Sequence, residues 1–271
     1  MSYRPGWWIR FMAWIWPVTH VAARLYAVPL VGRVLTWLTL PLFSEKRQNL
    51  TYIPINESIA EGSVLLSRTV VADLISRSSH RAVIARCTCR LDRTCTHHSI
   101  DIGCMLMGDG AAEIDGRIAR HVSKEEALAH LDTALADGLM PLVGRAPIDD
   151  YIWGVAKGGR LFTVCFCCRC CCTILAAGRF LPPEIRRSIV PLAGVSIRTD
   201  EGACTLCGAC VAECFMGALS IREGMLYRNE GLCKRCGRCA AVCPTGAIKI
   251  SADPAGAGVM DARLKRYVTI E

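Results

Sequence analysis

No stretch of this chain is long and apolar enough to cross a membrane. The longest uncharged run in its hydrophobic N-terminal part, Phe11 to Ala23, is 13 residues, and a helical span needs about 20. A nucleotide fingerprint is also missing. Gly154 to Gly159 supplies glycines without the G-x-G-x-x-G order or a P-loop lysine, so no nucleotide cofactor is expected. Neither a helix-turn-helix signature nor a basic stripe interleaved with aromatics is present, which leaves nucleic acid without a recognition element. That exclusion matters because the chain is basic, with 32 Lys and Arg against 24 Asp and Glu and a net charge of +8. An acidic redox partner or an anionic lipid surface fits that charge better.

What the chain has in excess is cysteine, 18 of 271 residues. Cys204, Cys207, Cys210 and Cys214 read C-x2-C-x2-C-x3-C. Cys233, Cys236, Cys239 and Cys243 repeat the run, and Pro244 follows. Gly202–Ile221 laid on Gly231–Ile250 is identical at ten of twenty positions, so the whole unit is duplicated. A zinc ribbon would need four ligands in two pairs, not two runs of four. A disulfide framework belongs to short, loop-rich secreted chains. The spacing therefore points to iron–sulfur clusters, and these to a reducing compartment, the cytoplasm.

The duplicated runs resemble the bacterial two-cluster ferredoxins. That resemblance implies two [4Fe–4S] clusters with crossed ligation: Cys204, Cys207 and Cys210 with Cys243, and Cys233, Cys236 and Cys239 with Cys214. Gly208 and Gly237 would let the backbone wrap each cluster closely. Leu219–Ile221 and Met225–Tyr227 around Arg222-Glu223-Gly224 read as a hairpin, with Val195–Arg198 and Ala247–Ile250 as its outer strands. Two features depart from the family. Small ferredoxins tend to be acidic, and Phe215 replaces the proline expected after Cys214. Without the fixed φ of proline, the Cys214 site is expected to be looser or shielded by the phenyl ring, and the two clusters are expected to differ in potential.

Ten further cysteines lie upstream. Cys87, Cys89, Cys95 and Cys104 form one element, and Cys165, Cys167, Cys168, Cys170, Cys171 and Cys172 form another. The second is too dense for disulfides. Adjacent side chains of an extended chain point apart, so Cys170, Cys171 and Cys172 are not expected to serve one cluster together. The stretch from about Tyr52 to Thr173 resembles anaerobic iron–sulfur proteins that pair a Cys-x-Cys-Arg element with a later Cys-Cys-x-Cys-Cys-Cys element, often ahead of a ferredoxin module. All ten are candidate ligands of one or two further clusters built from both elements. His97 and His98 are alternative iron ligands, or else loop residues or donors to cluster sulfur. Arg90 and Arg93 either offset cluster charge or are solvated. Asp149-Asp150 has no nucleophile or base beside it and reads as surface.

Between these elements, Ser63–Ser79 carries a helical stripe of Leu66, Val70, Leu74 and Ile75. Ala82–Arg86 reads as a short strand. Ser123 with Glu126 forms a capping box for a helix striped by Ala127, Leu128, Leu131 and Leu135 and stopped at Gly138. Ser44–Asn56 reads as linker. In the N-terminal 43 residues, Arg10, Arg24 and Arg33 interrupt a segment holding five of the six tryptophans, with Pro17, Pro29 and Pro41 expected to break or start short helices. Indole favours the lipid–water boundary and arginine snorkels, so the segment is expected to lie on a membrane surface or to wrap the core or dock on a partner. Val21-Ala22-Ala23 loosely resembles a signal-peptide cleavage site, but folded export would need a twin-arginine signal, which is absent.

The expected fold is α+β: an amphipathic segment (1–43), a mainly helical cysteine-rich iron–sulfur domain (44–190), a ferredoxin-type 2[4Fe–4S] module (191–254) and a tail (255–271). The leading expectation is an electron carrier between redox donor and acceptor proteins, which needs cysteines and no substrate pocket; the N-terminal segment would make it peripheral on the cytoplasmic membrane. The rival is an oxidoreductase subunit that reduces a substrate at a middle-domain cluster or dithiol. A cluster-dependent regulator or assembly factor ranks last for want of a recognition module.

Overall fold

The computed structural model describes residues 4–43, 48–54, 66–156, 160–253 and 256–265. Two helices open the chain, α1 (Trp8–Leu25) and α2 (Val31–Phe43). Pro17 and Pro41 lie inside them, so neither breaks its helix as expected. The missing N–H costs one helical hydrogen bond, and burial of Ile9, Met12 and Ala13 against the core offsets it for α1. Pro29 does mark a break, at a turn where Leu30 takes φ +66. No helix among the described residues is long and apolar enough to cross a membrane.

The middle region is built around a six-stranded antiparallel sheet, which the expectation of a mainly helical domain did not include; helices still hold more of its described residues. Its elements are β1 (Asn49–Tyr52), α3 (Leu66–Arg77), β2 (Arg81–Ile84), α4 (Thr88–Asp92), β3 (Met105–Met107), β4 (Ala119–His121), α5 (Lys124–Ala136), β5 (Met140–Arg145), α6 (Pro147–Trp153), β6 (Phe162–Cys167), α7 (Thr173–Ala177) and α8 (Pro183–Arg187). The strand order is β1-β5-β6-β3-β2-β4. The strands are short and β5 is buried along its whole length, so the alternation that reveals a half-buried strand is missing from the sequence. Part of the expected linker, Asn49–Tyr52, is the edge strand β1 paired with β5; residues 44–47 and 55–56 lie outside the described residues. The expected helix from Ser63 is α3, whose first described residue is Leu66.

α5 forms as its capping box predicts. The Glu126 N–H donates to the Ser123 hydroxyl at 3.2 Å, and the Glu126 carboxylate accepts from the Ser123 N–H at 2.8 Å. Gly138 follows at φ +72. α5 packs on α3, and α1 lies against α4 and α7.

The C-terminal part comprises β7 (Val195–Thr199), α9 (Ala209–Glu213), β8 (Leu219–Arg222), β9 (Met225–Arg228), α10 (Arg238–Ala241) and β10 (Ile248–Ala252), followed by α11 (Gly256–Leu264). β8 and β9 form the expected hairpin. β7 and β10 pair with each other and not with the hairpin, so they are not its outer strands. The duplication fixes this: each half contributes one strand to the β7–β10 pair and one short helix. The backbone repeats at an offset of 29. Leu206 and Arg235 take φ +55 and +51, and Gly208 and Gly237 take +76 and +86.

Candidate metal centres

Two open cavities of the C-terminal part are lined by cysteine. One is bounded by Cys204, Cys207, Cys210 and Cys243. The other is bounded by Cys214, Cys233, Cys236 and Cys239. Each cavity thus takes three thiols from one run and the last thiol of the other. Left-handed Gly208 and Gly237 start α9 and α10 and turn the chain around each space. The backbone also prepares the sulfurs as acceptors. The Ala218 N–H donates to Cys214 Sγ at 3.2 Å. At Cys243, burial opposes ionisation, but the Thr245 hydroxyl and the N–H groups of Thr245, Ala247 and Ile248 outweigh it and lower the pKa. Burial pushes Cys236 up to about 12 and Cys239 to about 11, so those protons leave only when a metal replaces them. Four convergent thiols, backbone donors and an open space fit a [4Fe–4S] cluster.

The ten upstream thiols divide into two groups, and both sequence elements contribute to each. In the first group the sulfurs of Cys95, Cys168, Cys170 and Cys171 all lie within 4.8 Å of one another. Cys170 is exposed, Cys95 is half-buried and the other two are buried. The N–H groups of His97 and His98 point at Cys95 sulfur, while the His98 ring lies 3.2 Å from an Asp137 oxygen. His98 therefore supports a thiol through its backbone and pairs its imidazole elsewhere.

The second group follows from strand register. Met105 faces Val164 across β3 and β6, so Cys104 falls opposite Cys165, and their sulfurs are 3.4 Å apart. The two-residue period of β6 puts Cys167 on the face of Cys165. A turn closed by the Cys172 N–H to the Cys168 carbonyl returns Cys172 to within 3.3 Å of Cys167. Cys87 and Cys89 at the start of α4 complete the group, in electrostatic reach of Cys104 and Cys167, with Cys89 sulfur 3.4 Å from the Thr173 hydroxyl. Gly103 makes this approach possible, because a Cβ there would sit 1.9 Å from the Ile84 carbonyl oxygen.

One cation stands between the groups. Arg90 is fully buried and donates to the carbonyls of Phe166, at 2.9 Å, and Ile102. It lies in electrostatic reach of Cys87, Cys168 and Cys104. Arg93 is exposed beside Asp92. The Asp149-Asp150 pair is not surface, as the sequence suggested. Asp150 is buried in an ion pair with Arg145 at 2.6 Å, and Asp149 accepts from the Thr163 hydroxyl at 2.8 Å.

Two residues that sequence reasoning passed over, Glu213 and Tyr52, join the upstream thiols to the C-terminal cavities, with Phe215 beside them. Glu213, only 4% exposed, takes Arg169 from between Cys168 and Cys170 at 2.6 Å, and Arg238 from beside Cys239 at 2.6 Å. Tyr52, at 0% exposure, reaches the charges of Cys165, Cys167 and Cys172 on one side and Cys236 on the other. Its hydroxyl has no hydrogen-bond partner among the described residues. Phe215 packs edge-on against the Tyr52 ring, with centroids 5.1 Å apart, which explains the departure from proline: the ring shields the Cys214 side and seats the module on β1. An acid inside an otherwise apolar cluster motif was the one available signal for Glu213. Tyr52 had none, because it fell in the expected linker.

The 4Fe-4S binding domain family matches this chain at residues 197–220 and 226–249, one match per repeat. No curated protein matches. The C-terminal part is a ferredoxin-type module with sites for two [4Fe–4S] clusters, and an iron–sulfur electron-transfer role goes with it.

Proposed function

We propose that this chain is a polyferredoxin-like electron relay on the cytoplasmic face of a membrane, taking electrons from a donor protein and passing them to a partner reductase. The ferredoxin module would carry the crossed ligand sets given above, and Cys95, Cys168, Cys170 and Cys171 would hold a third cluster. When bound, the clusters supply one-electron couples whose potentials follow from hydrogen bonds to sulfur, charge and exposure. The observation that carries the reading is adjacency. Glu213 is ion-paired with Arg169 in the loop of the Cys95 group and hydrogen-bonded to Arg238 in the helix of the Cys239 cavity, so the two stand side by side. The test is EPR spectroscopy of the anaerobically purified full chain at partial and full reduction. Mutual broadening of the signals is expected, and Cys170→Ser should remove one component of it. Independent, uncoupled signals would refute the relay.

The membrane part of this reading rests on the N-terminal hairpin. Trp14, Val18, Val21 and Leu25 share one face of α1, and Val31, Val34 and Leu38 one face of α2, all exposed, with Trp14 at 74% and Trp37 at 76%. Exposed Arg10, Arg24 and Arg33 rim these faces, and no Asp or Glu precedes Glu45. An apolar face rimmed only by cations suits an anionic lipid surface. The full chain should sediment with phosphatidylglycerol vesicles and not with phosphatidylcholine vesicles, and Trp14→Ser/Trp37→Ser should abolish it. A double variant that sediments as well as the parent would overturn the assignment.

A further inference from the structure

Cys87, Cys89, Cys104, Cys165, Cys167 and Cys172 are more thiols than packing or a single surface cluster explains. Dispersed buried cysteines act as small inert apolar groups. Four of these six meet in sulfur-to-sulfur contacts, Cys167 with Cys172 at 3.3 Å and Cys104 with Cys165 at 3.4 Å, and Cys87 and Cys89 join them from a third stretch of chain within electrostatic reach. Cys87, Cys167 and Cys172 are buried and the other three half-buried. The phenol of Tyr52 reaches the same group from β1, fully buried and with no acceptor among the described residues. A buried hydroxyl without a partner is costly, and a metal-bound thiolate or a bridging sulfide would accept its proton. Arg90 offers the positive charge that a net-negative cluster requires on the opposite side.

We propose that these six thiols form a further iron–sulfur site, distinct from that of Cys95, Cys168, Cys170 and Cys171, in which at least four, Cys104 and Cys165 among them, bind the cluster and the Tyr52 hydroxyl donates a hydrogen bond to it. Tyr52 is then a positioning residue between this site and the cavity of Cys236, since it faces thiols of both. The inference deepens the relay reading and rests on it only for the direction of electron flow; the site itself stands or falls on its metal content.

The experiment uses the full chain, purified anaerobically, with iron, zinc and acid-labile sulfide measured per chain and an EPR-monitored redox titration. Cys104→Ala/Cys165→Ala should lower iron by about four per chain, with the ferredoxin signals and the component lost in Cys170→Ser retained. Tyr52→Phe should leave the iron content unchanged and shift one midpoint potential downward, because a hydrogen bond to sulfur stabilises the reduced state. An unchanged iron content in the double variant overturns the site, as does zinc in place of iron. If the double variant does not fold, the Tyr52→Phe titration decides: a downward shift at constant iron supports the site, and unmoved potentials overturn the proposed contact. Full iron with uncoupled EPR signals would leave the site standing and remove only the relay.

Discussion

Glu213→Gln is the most informative single change, because one buried carboxylate serves two guanidinium groups from different parts of the chain. The contact with Arg238 is nearly closed to solvent, since the Arg238 side chain is 14% exposed and that of Glu213 3%. Removing one partner of a buried pair costs about 3–5 kcal/mol, since the other charge stays buried. The contact with Arg169 adds little. That side chain is 63% exposed, and exposed pairs contribute at most about 1 kcal/mol. An amide can still accept from one arginine, so the low end of the range, about 3 kcal/mol, is expected. For a chain of this size that corresponds to a fall of roughly 6–10 °C in midpoint. The assay is anaerobic thermal unfolding of the cluster-loaded protein, followed in parallel by far-UV circular dichroism and by loss of cluster absorbance. Arg169→Met is the control and should move the midpoint by less than about 3 °C. If Glu213→Gln behaves like that control, the buried pair of Glu213 with Arg238 does not carry the stability assigned to it.

Two further outcomes are expected. Cys243→Ser should abolish the cluster of the Cys204, Cys207 and Cys210 cavity and spare that of Cys233, Cys236 and Cys239; spectroscopic loss of the second with retention of the first would break the crossed assignment. Asp149→Asn should remove a pH dependence of stability. Burial pushes the Asp149 carboxyl up to about 6, helped by the Asp150 charge and opposed by Thr163 and Arg145, while the unfolded group titrates at its ordinary 3.8. The native state therefore holds the proton longer, and stability falls as pH rises from about 4 to about 6, by on the order of 1–3 kcal/mol. The difference between variant and parent is the quantity to read, because acid also releases iron. A constant difference across that window would contradict the shift.

The ferredoxin module was legible in the sequence because its chemistry is local and duplicated: the spacing of eight cysteines and the glycines at Gly208 and Gly237 set the turns directly. The capping box of α5 was legible for the same reason, as both partners lie within one helical turn. The sheet of the middle region was not, since its strands are short and β5 is buried on both faces, which erases the two-residue alternation that marks a strand. The sorting of the upstream thiols was equally hidden. Ten cysteines in two elements said that metal belonged there, but their division depends on the register of β3 against β6 and on the turn that swings Cys172 back to Cys167. Long-range pairing alone could place Tyr52 and Glu213: Tyr52 pairs with Leu142 and meets Phe215, and Glu213 meets Arg169 and Arg238. Sequence by itself set the duplicated cysteine spacing from which two [4Fe–4S] sites are read in the C-terminal module. Tertiary packing decided which of the remaining thiols meet, and what stands between them.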